Sequence, residues 1–518
     1  MQIDELLAQD FGTVAELIHA HALRDAAHTA LLLDGQSLDY AALDAQMDRV
    51  AAALQRDGLK PGDVIAISAA TSLGYAVVFL GAVRAGVAVA PLAPDSTPEG
   101  LAAMVADSGV QLFFVDEAVG QATAGTPGVP RIALDDSGVG APLSGWLAPA
   151  GAQPEPVRLQ PDAPFNIIYS SGTTGTPKGI MMPHAFRWAQ VKLFTSLGYG
   201  PDAVTLVSIP LYSNMTLSSF FPALSLGAKV VLMRKFDAGG YLELAQAHRA
   251  THSMMVPVQF QRIMAWPDFD RYDLSSFRMK SCGSAPFPVA LKADVLARWP
   301  GGLTEYYGMT EGGGVCALPA HERPDKLHTV GKPAPGHDMR VIDDEGRELP
   351  RGDIGEIVGR SGTMMVGYHN LPQKTAEAEW FDAEGRRFIR SGDTGRFDED
   401  GYLVLLDRKK DMIISGGFNV YPVDLEAVLR SHPDVDEAAV FGVPSQRWGE
   451  SPMACVVLRE AATVAPDALR EWANERLGKA QRLVDLRVVQ SLPRSDIGKV
   501  LKRQLRNAFG GDTFGTAH

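Results

Sequence analysis

Cysteine is scarce in this sequence: Cys282, Cys316 and Cys455 are the three among 518 residues. They stand far apart, fit no metal-binding spacing and offer no disulfide framework, so a reducing compartment is expected. Basic residues are outnumbered, 48 Lys and Arg against 61 Asp and Glu, for a net charge of −13. Nucleic-acid modules carry a basic face, so no nucleic-acid partner is expected, although a local basic pocket for a small anion is compatible with that total. Long apolar runs are missing too. The most apolar stretch, YAVVFLGAVRAGVAVAPLAP, is broken by Arg84, two glycines and two prolines. It reads as a helix running into a buried strand, not as a membrane span. The opening MQIDELLAQDF has neither the basic flank nor the apolar core of a signal peptide. A cytoplasmic location without an integral membrane segment is the expectation.

What is present is a soluble globular composition, 46% apolar and 21% charged, on a chain too long for one core. Leu43, Met47, Val50 and Leu54 recur on one helical face, with Asp39 placed as an N-cap. DVIAIS, VAVAPL and VQLFFV read as buried strands, separated by helices after Thr71 and near Leu101. Strand–helix alternation of this kind predicts parallel sheets covered by helices. Residues 120–164 turn rich in Gly, Ala and Pro, with a strand-like RIAL, and read as a surface connection. Alternation resumes at FNIIYS, AVTLVSIP and AKVVLM. Past Asp338, short strands joined by Asp-Glu-Gly and Arg-Gly-Asp turns predict a small β-subdomain, and from Arg408 a separate α+β unit follows.

The segment YSSGTTGTPKGI, residues 169–180, gathers glycines, hydroxyls and a lysine. Backbone N–H groups bare of bulky side chains can crowd around anionic oxygens. The Walker A spacing is not met, since Gly172 is followed by four residues and then Pro177 and Lys178. Taken alone, such a stretch also reads as a glycine-rich surface turn. Its company decides between the two readings. EYYGMTEGGG begins at Glu305, RSGDTGRFDEDGYLVLLDRKKDMIISGGFNVYPVDLE spans 390–426, and LPRSDIGKVLKRQLR spans 492–506. Together these four motifs, in this order, resemble the adenylate-forming superfamily of acyl-CoA synthetases, luciferases and peptide-synthetase adenylation domains. The resemblance runs from about Asp39 to Arg506 and is closest to the acyl- and aryl-CoA ligases, 4-coumarate–CoA ligase among them.

That resemblance implies an α/β fold: a large N-terminal domain of parallel sheets with the β-subdomain, residues 1–407, and a small mobile α+β C-terminal domain, residues 408–518. It implies an acyl-AMP made from a carboxylic acid and ATP with Mg2+, then transfer of the acyl group to the thiol of CoA. Residue by residue, Ser170, Ser171, Thr173, Thr174 and Lys178 match the loop over the β- and γ-phosphates. Thr310 should meet phosphate and Glu311 should hold Mg2+, a hard ion that prefers oxygen. Tyr307 would stack on adenine, with the base edge read by backbone at Gly283, Ser284 and Ala285. Asp393 would accept the ribose hydroxyls with Arg408 beside them. Lys499 matches the lysine that bridges the attacking carboxylate and the α-phosphate, where a cation offsets repulsion between two anions. Lys410 falls at the hinge position. The Gly416–Gly417 pair would admit pantetheine, and Trp448 matches a tryptophan that stacks on the CoA nucleotide.

The sequence departs from the family where the acyl site is gated. The usual Pro-Leu-Phe/Tyr-His is IPLYSNMT here, with Tyr212 kept and Ser213 in place of the histidine. Asn214 stands where amino-acid-activating relatives carry an aspartate, and a neutral amide leaves a substrate ammonium unpaired, which disfavours an α-amino acid. Met215, Met254, Met255 and Val256, with Gly312, Gly313, Gly314 and Val315, suggest a deformable apolar pocket for an extended or aromatic acid. Met and Gly at these places also suit ordinary core and turn roles. Three readings stand: an acyl-CoA ligase for a hydrophobic acid, an acyl-AMP ligase that loads a carrier protein, and a catalytically idle nucleotide-binding homologue. Retention of Lys178, Glu311, Asp393 and Lys499 together speaks against the last. A homodimer stays open as an assembly.

Overall fold

Asp39 accepts a hydrogen bond from the Ala42 N–H at 2.7 Å and caps the helix Tyr40–Arg56. Leu43, Met47, Val50 and Leu54 on its inner face are fully buried, each contributing about 1.5–3 kcal/mol by removal from water. Against this helix lies the helix Leu73–Arg84. Gly81 permits the approach, since a Cβ there would stand 2.4 Å from the Cβ of Val50. The structure, a computed structural model, describes residues 3–125, 128–170, 178–362, 364–408, 411–415, 418–445, 448–460, 462–478, 481–495, 498 and 500–509.

Packing divides the chain into two units: Met1–Leu327 with Ala334–Asp338 and Arg360–Ile389, and His328–Pro333 with Met339–Gly359 and Arg390–His518. The first unit holds two sheets. One runs in the order Val315–Pro319, Gly302–Gly308, Met279–Gly283, His252–Met255, Val204–Val207, Lys229–Leu232, Thr29–Leu33, Gln36–Asp39. All neighbours are parallel except the first and last pairs. The other runs Gly367–Tyr368, Lys178–Pro183, Pro164–Ser170, Ala88–Pro91, Val64–Ser68, Leu112–Val115, Arg131–Ala133, Ala141–Pro142. Leu31 and Val230 of the first sheet share one core cluster with Ile65 and Phe165 of the second and with Leu43, Phe79 and Phe221 of the helices. The α/β class with parallel sheets is therefore as expected, because near-continuous Val/Ile/Ala strands require cover on both faces.

Residues 120–164 differ from the expected surface connection. Arg131–Ala133 and Ala141–Pro142 extend the second sheet in parallel, and Ile132, Ala133, Leu143 and Trp146 are buried. Trp146 Nε1 donates to Asp57 at 2.7 Å. Arg131–Ala133 falls in the strand-like RIAL, whereas a two-residue strand such as Ala141–Pro142 is too short to show a period of two, so the pattern concealed it.

In the second unit, the strands Asp338–Ile342, Gly355–Arg360, Arg387–Phe397 and Leu403–Arg408 supply the small sheet expected after Asp338. A further sheet runs Phe418–Val420, Ile413–Ser415, Gly449–Leu458, Val435–Ser445, with Asp485–Val488 parallel to Gly449–Leu458. Along Gly449–Leu458, Ala454 and Val456 join one core with Leu425, Leu429 and Leu469, while Met453 and Cys455 join another with Leu492 and Leu505. Alternation with period two thus gives this sheet a core on each face. All three cysteines are buried and free. Among the described residues, no helix is long and apolar enough to cross a membrane.

Candidate active site

The strands Val204–Val207, His252–Met255, Met279–Gly283 and Gly302–Gly308 are parallel, so their carboxyl ends share one edge of the sheet. Open α/β sheets bind ligands at that edge. The chain leaves it through Ser213 into the helix Asn214–Ser225, through Ser284 and Ala285, and through residues 309–314. Sequence order alone therefore brings the expected acyl, adenine and metal residues of this unit together.

Contacts tighten the group. Ser284 Oγ lies 3.2 Å from the sulfur of Met215, and Ser284 itself has φ +70, a strained left-handed setting for a serine. Gly283 has no room for a side chain, since a Cβ would meet the Tyr306 carbonyl at 2.9 Å. Tyr307 follows on the same strand and is partly exposed, whereas Met255 is fully buried. Met254 packs partly buried against the main core. Ser213 is buried at the head of its helix, yet its hydroxyl does not cap that helix. Tyr212 is partly buried beside it.

The turn after Gly302–Gly308 is pinned by backbone. Gly312 and Gly314 have φ +75 and +85. The Gly312 carbonyl accepts from Ser361 Oγ at 2.8 Å, and the Glu311 carbonyl accepts from the Met365 N–H at 2.8 Å. Tyr368, paired with Ile180 across the strand Lys178–Pro183, donates its hydroxyl to Glu311 Oε1 at 2.8 Å. The ammonium of Lys178 stands 5.1 Å from the centre of the same ring. Burial, and then the Glu311 charge, push the Tyr368 phenol well above its ordinary value, so it remains a donor. Glu311 Oε2 and the Thr310 hydroxyl have no hydrogen-bond partner among the described residues. A lysine, a hydroxyl and a carboxylate with one oxygen open are thus presented together. That set suits polyphosphate and a hard cation, which takes oxygen ligands and keeps several of its waters. Among the described residues no three His, Cys, Asp or Glu gather as a cage. A Mg2+ ion here would accordingly be held by Glu311 together with phosphate and water oxygens.

Six residues before Glu311, Glu305 shows the opposite arrangement. It forms a buried ion pair with Lys292, whose ammonium also donates to the Leu327 carbonyl at 2.7 Å. Nearby, Lys280 is buried against the carbonyls of Trp299, Pro300 and Gly301 at 3.2, 2.6 and 2.9 Å, which closes the end of the helix Val289–Arg298.

In the second unit, Asp393 and Arg408 are direct cross-strand partners. Trp448 is 38% exposed, which excludes the core role open to a lone tryptophan. Ser171, Thr173, Thr174, Lys410, Gly416, Gly417 and Lys499 lie outside the described residues, and Ser170 is described by its backbone, paired with Lys178. Around position 499, Arg494 bridges to Val500, and Arg494 donates to the Gly498 carbonyl and to Glu437, both at 2.7 Å. Two residues were missed by the sequence reading. Tyr368 carries a weak signal in VGYHN, a tyrosine after a glycine. Arg187 carries none, because an arginine in HAFRWAQVKLF reads as a helix surface.

Parallel sheets under helices, a second α+β unit and open oxygen donors at the strand ends define an α/β enzyme of the adenylate-forming class. The family model described as AMP-binding enzyme matches residues 18–369, and that of the AMP-binding enzyme C-terminal domain matches residues 424–499. The chain belongs to the AMP-binding enzyme family. It is 32% identical to a fatty acid–[acyl-carrier-protein] ligase of Streptomyces coeruleorubidus, over 99% of both chains. It is 33% identical to a feruloyl-CoA synthase of an Amycolatopsis species, over 93% of this chain and 96% of that one. The ATP-bound structure of MatB from Rhodopseudomonas palustris superposes with a TM-score of 0.87 at 31% identity, over 96% and 99%. By family and relatives, the protein is an AMP-forming acid–thiol ligase.

Proposed function

We propose that the protein is an ATP-dependent acyl-CoA ligase for a hydrophobic carboxylic acid, a medium- or long-chain fatty acid or an aryl acid. A carboxylate oxygen of the acid attacks the α-phosphorus of ATP and pyrophosphate leaves. The CoA thiol then attacks the acyl carbonyl and AMP leaves. The observation that carries this reading is the set of Lys178, Thr310 and Glu311 with an open oxygen, held at the strand ends by Tyr368. In it, Ser170, Ser171, Thr173, Thr174, Lys178 and Thr310 take the phosphates, and Glu311 takes Mg2+. Tyr307 stacks on adenine beside Gly283, Ser284 and Ala285, while Asp393 and Arg408 take the ribose. Lys499 neutralises the two anions that must meet. Residues 408–518 act as a domain that turns about Lys410 between the half-reactions, bringing Gly416, Gly417 and Trp448 to CoA. The pocket formed by Tyr212, Ser213, Asn214, Met215, Met255 and Gly312, Gly313 and Gly314 takes the acyl group.

A carrier-protein thiol is the second reading for the acceptor, favoured by the end-to-end match to a relative of that name. Incubating the protein with ATP, a panel of acids, and either CoA or a phosphopantetheinylated carrier separates the two by the thioester formed. Lys499→Ala tests the chemistry: pyrophosphate exchange falls about two to three orders of magnitude, whereas thioester formation from preformed acyl-AMP continues. Exchange that survives the substitution overturns the assignment.

A further inference from the structure

Arg187, on the helix His184–Thr195, is 1% exposed, and among the described residues no carboxylate pairs with it. A buried cation without an anion is costly. Here the cost is offset by amide oxygens and aromatic faces. Arg187 Nη2 donates to Asn214 Oδ1 at 2.7 Å and to Asn166 Oδ1 at 3.1 Å, and Nη1 donates to Gln190 Oε1 at 2.9 Å. The rings of Phe165, Phe186 and Phe221 surround the guanidinium at 5.6, 5.2 and 5.7 Å. The network closes on itself: Gln190 Nε2 donates to Ser218 Oγ at 3.0 Å, and Ser218 Oγ donates to the Asn214 carbonyl at 2.9 Å. Burial lowers the Arg187 pKa to about 9, which leaves it charged at neutral pH.

An arginine has donors only, so each amide that meets it must turn its oxygen inward. For Asn214 this leaves no choice of flip. Its planar amide therefore carries the NH2 group away from Arg187, and that group has no hydrogen-bond partner among the described residues. Asn214 is partly exposed, at the sheet edge where its neighbour Met215 touches Ser284. The charge behind it has a second consequence. A substrate ammonium at this point would face an uncompensated cation, whereas an electron-rich oxygen would gain a donor polarised by that cation.

We propose that Arg187 is a positioning residue that fixes the Asn214 NH2 group toward the acyl substrate, so that the acid activated here carries a hydrogen-bond-accepting oxygen at that point and no ammonium. This rests on the acyl-ligase reading above and narrows its substrate to hydrophobic acids bearing a hydroxyl, keto or ether oxygen. Ser218 and Gln190 belong to the same device, since they lock the backbone and the guanidinium that orient the amide.

The test uses the full chain with octanoate and its positional hydroxy and keto derivatives, and with cinnamate and its hydroxy and methoxy derivatives. The readout is the kcat/KM of each oxygenated acid relative to its parent. In the wild type one position raises that ratio about three- to tenfold, the range of one neutral hydrogen bond. Asn214→Leu brings the ratio to one or below, and because each oxygenated acid is compared with its parent in the same variant, any general loss of activity cancels. Asn214→Asp supplies Arg187 with an anion and no donor, so keto and methoxy acids lose their advantage and hydroxy acids keep theirs. Arg187→Met lowers the ratio with Asn214 still present, mainly through KM, and Arg187→Lys restores part of it. Should Arg187→Met fail to fold, the two Asn214 variants decide. No preference for any oxygenated acid in the wild type, or a preference unmoved by Asn214→Leu, overturns the proposal while the ligase reading stands. Absence of AMP formation with every acid overturns both.

Discussion

The interior of the first sheet and its carboxyl edge handle charge in opposite ways. Inside, Glu305 and Lys292 are both buried and form an ion pair, and Lys280 is met by three carbonyls. At the edge, Glu311 Oε2, the Thr310 hydroxyl and the Asn214 NH2 have no hydrogen-bond partner among the described residues. The two glutamates lie six residues apart on one strand and its turn. A closed set of polar groups has no valence left for a ligand, and its removal is felt as lost stability. An open set contributes little to the fold, and its removal is felt as lost chemistry. Position along the strand decides which applies, because side chains within a covered parallel sheet lose water and those past its end regain it.

The largest effect should come from opening the closed set. Lys292→Met leaves an uncompensated carboxylate inside the sheet and should cost about 3–5 kcal/mol, read as a lower urea midpoint by tryptophan fluorescence. Lys292→Met combined with Glu305→Met should recover most of that loss. The penalty also depends on pH. Burial, against the pull of Lys292, raises the Glu305 carboxyl from 4.5 to about 7. A group with a raised native pKa holds its proton more tightly when folded, so its contribution is complete below about 4.5 and is lost as pH rises through 7. The single variant should therefore suffer less at pH 5, where Glu305 is neutral, than at pH 8. An equal penalty at both values would mean that Glu305 is not the group left exposed to the missing charge.

The closed region was legible as fold but not as chemistry. VQLFFV, DVIAIS and the Asp39-capped helix announced themselves because covered strands and amphipathic helices write their burial into hydropathy. Glu305 and Lys292 did not, since a pair thirteen residues apart, one on the strand Gly302–Gly308 and one on the helix Val289–Arg298, becomes a contact only when that helix packs against the strand. At the edge, motif order placed Lys178, Thr310 and Glu311 in one neighbourhood, because the chain must pass the strand ends to make each turn. Tyr368 and Arg187 escaped notice for a shared reason. Each acts on another side chain through a hydrogen bond across distant segments, and hydropathy gives an arginine no sign that three phenylalanines will enclose it.

Next in size is Glu311→Gln. The amide keeps an acceptor for the Tyr368 hydroxyl, so stability should stay within about 1 kcal/mol. If Glu311 holds Mg2+ as proposed, removing its charge should lower the rate of acyl-AMP formation about a hundred- to a thousandfold, read by pyrophosphate exchange. A variant that unfolds more readily yet exchanges pyrophosphate normally would place Glu311 with Glu305, among groups that serve the fold.

Tyr368→Phe should give the smallest effect and the sharpest comparison. The ring remains beneath the Lys178 ammonium, and its face still attracts a cation. Only the hydroxyl that holds Glu311 Oε1 is lost. Glu311 keeps its charge but loses the constraint that aims its second oxygen, and supporting hydrogen bonds of this kind are worth about tenfold or more in metal affinity. The expected result is an apparent Mg2+ affinity weakened about tenfold, with the maximal rate at saturating Mg2+ nearly restored and the urea midpoint little changed. Titrating pyrophosphate exchange with Mg2+ in wild type and variant measures it. An unchanged Mg2+ dependence would reduce Tyr368 to a packing residue. A loss that saturating Mg2+ fails to repair would instead mean that the hydroxyl meets the phosphates directly, and the open set at the sheet edge would then include it.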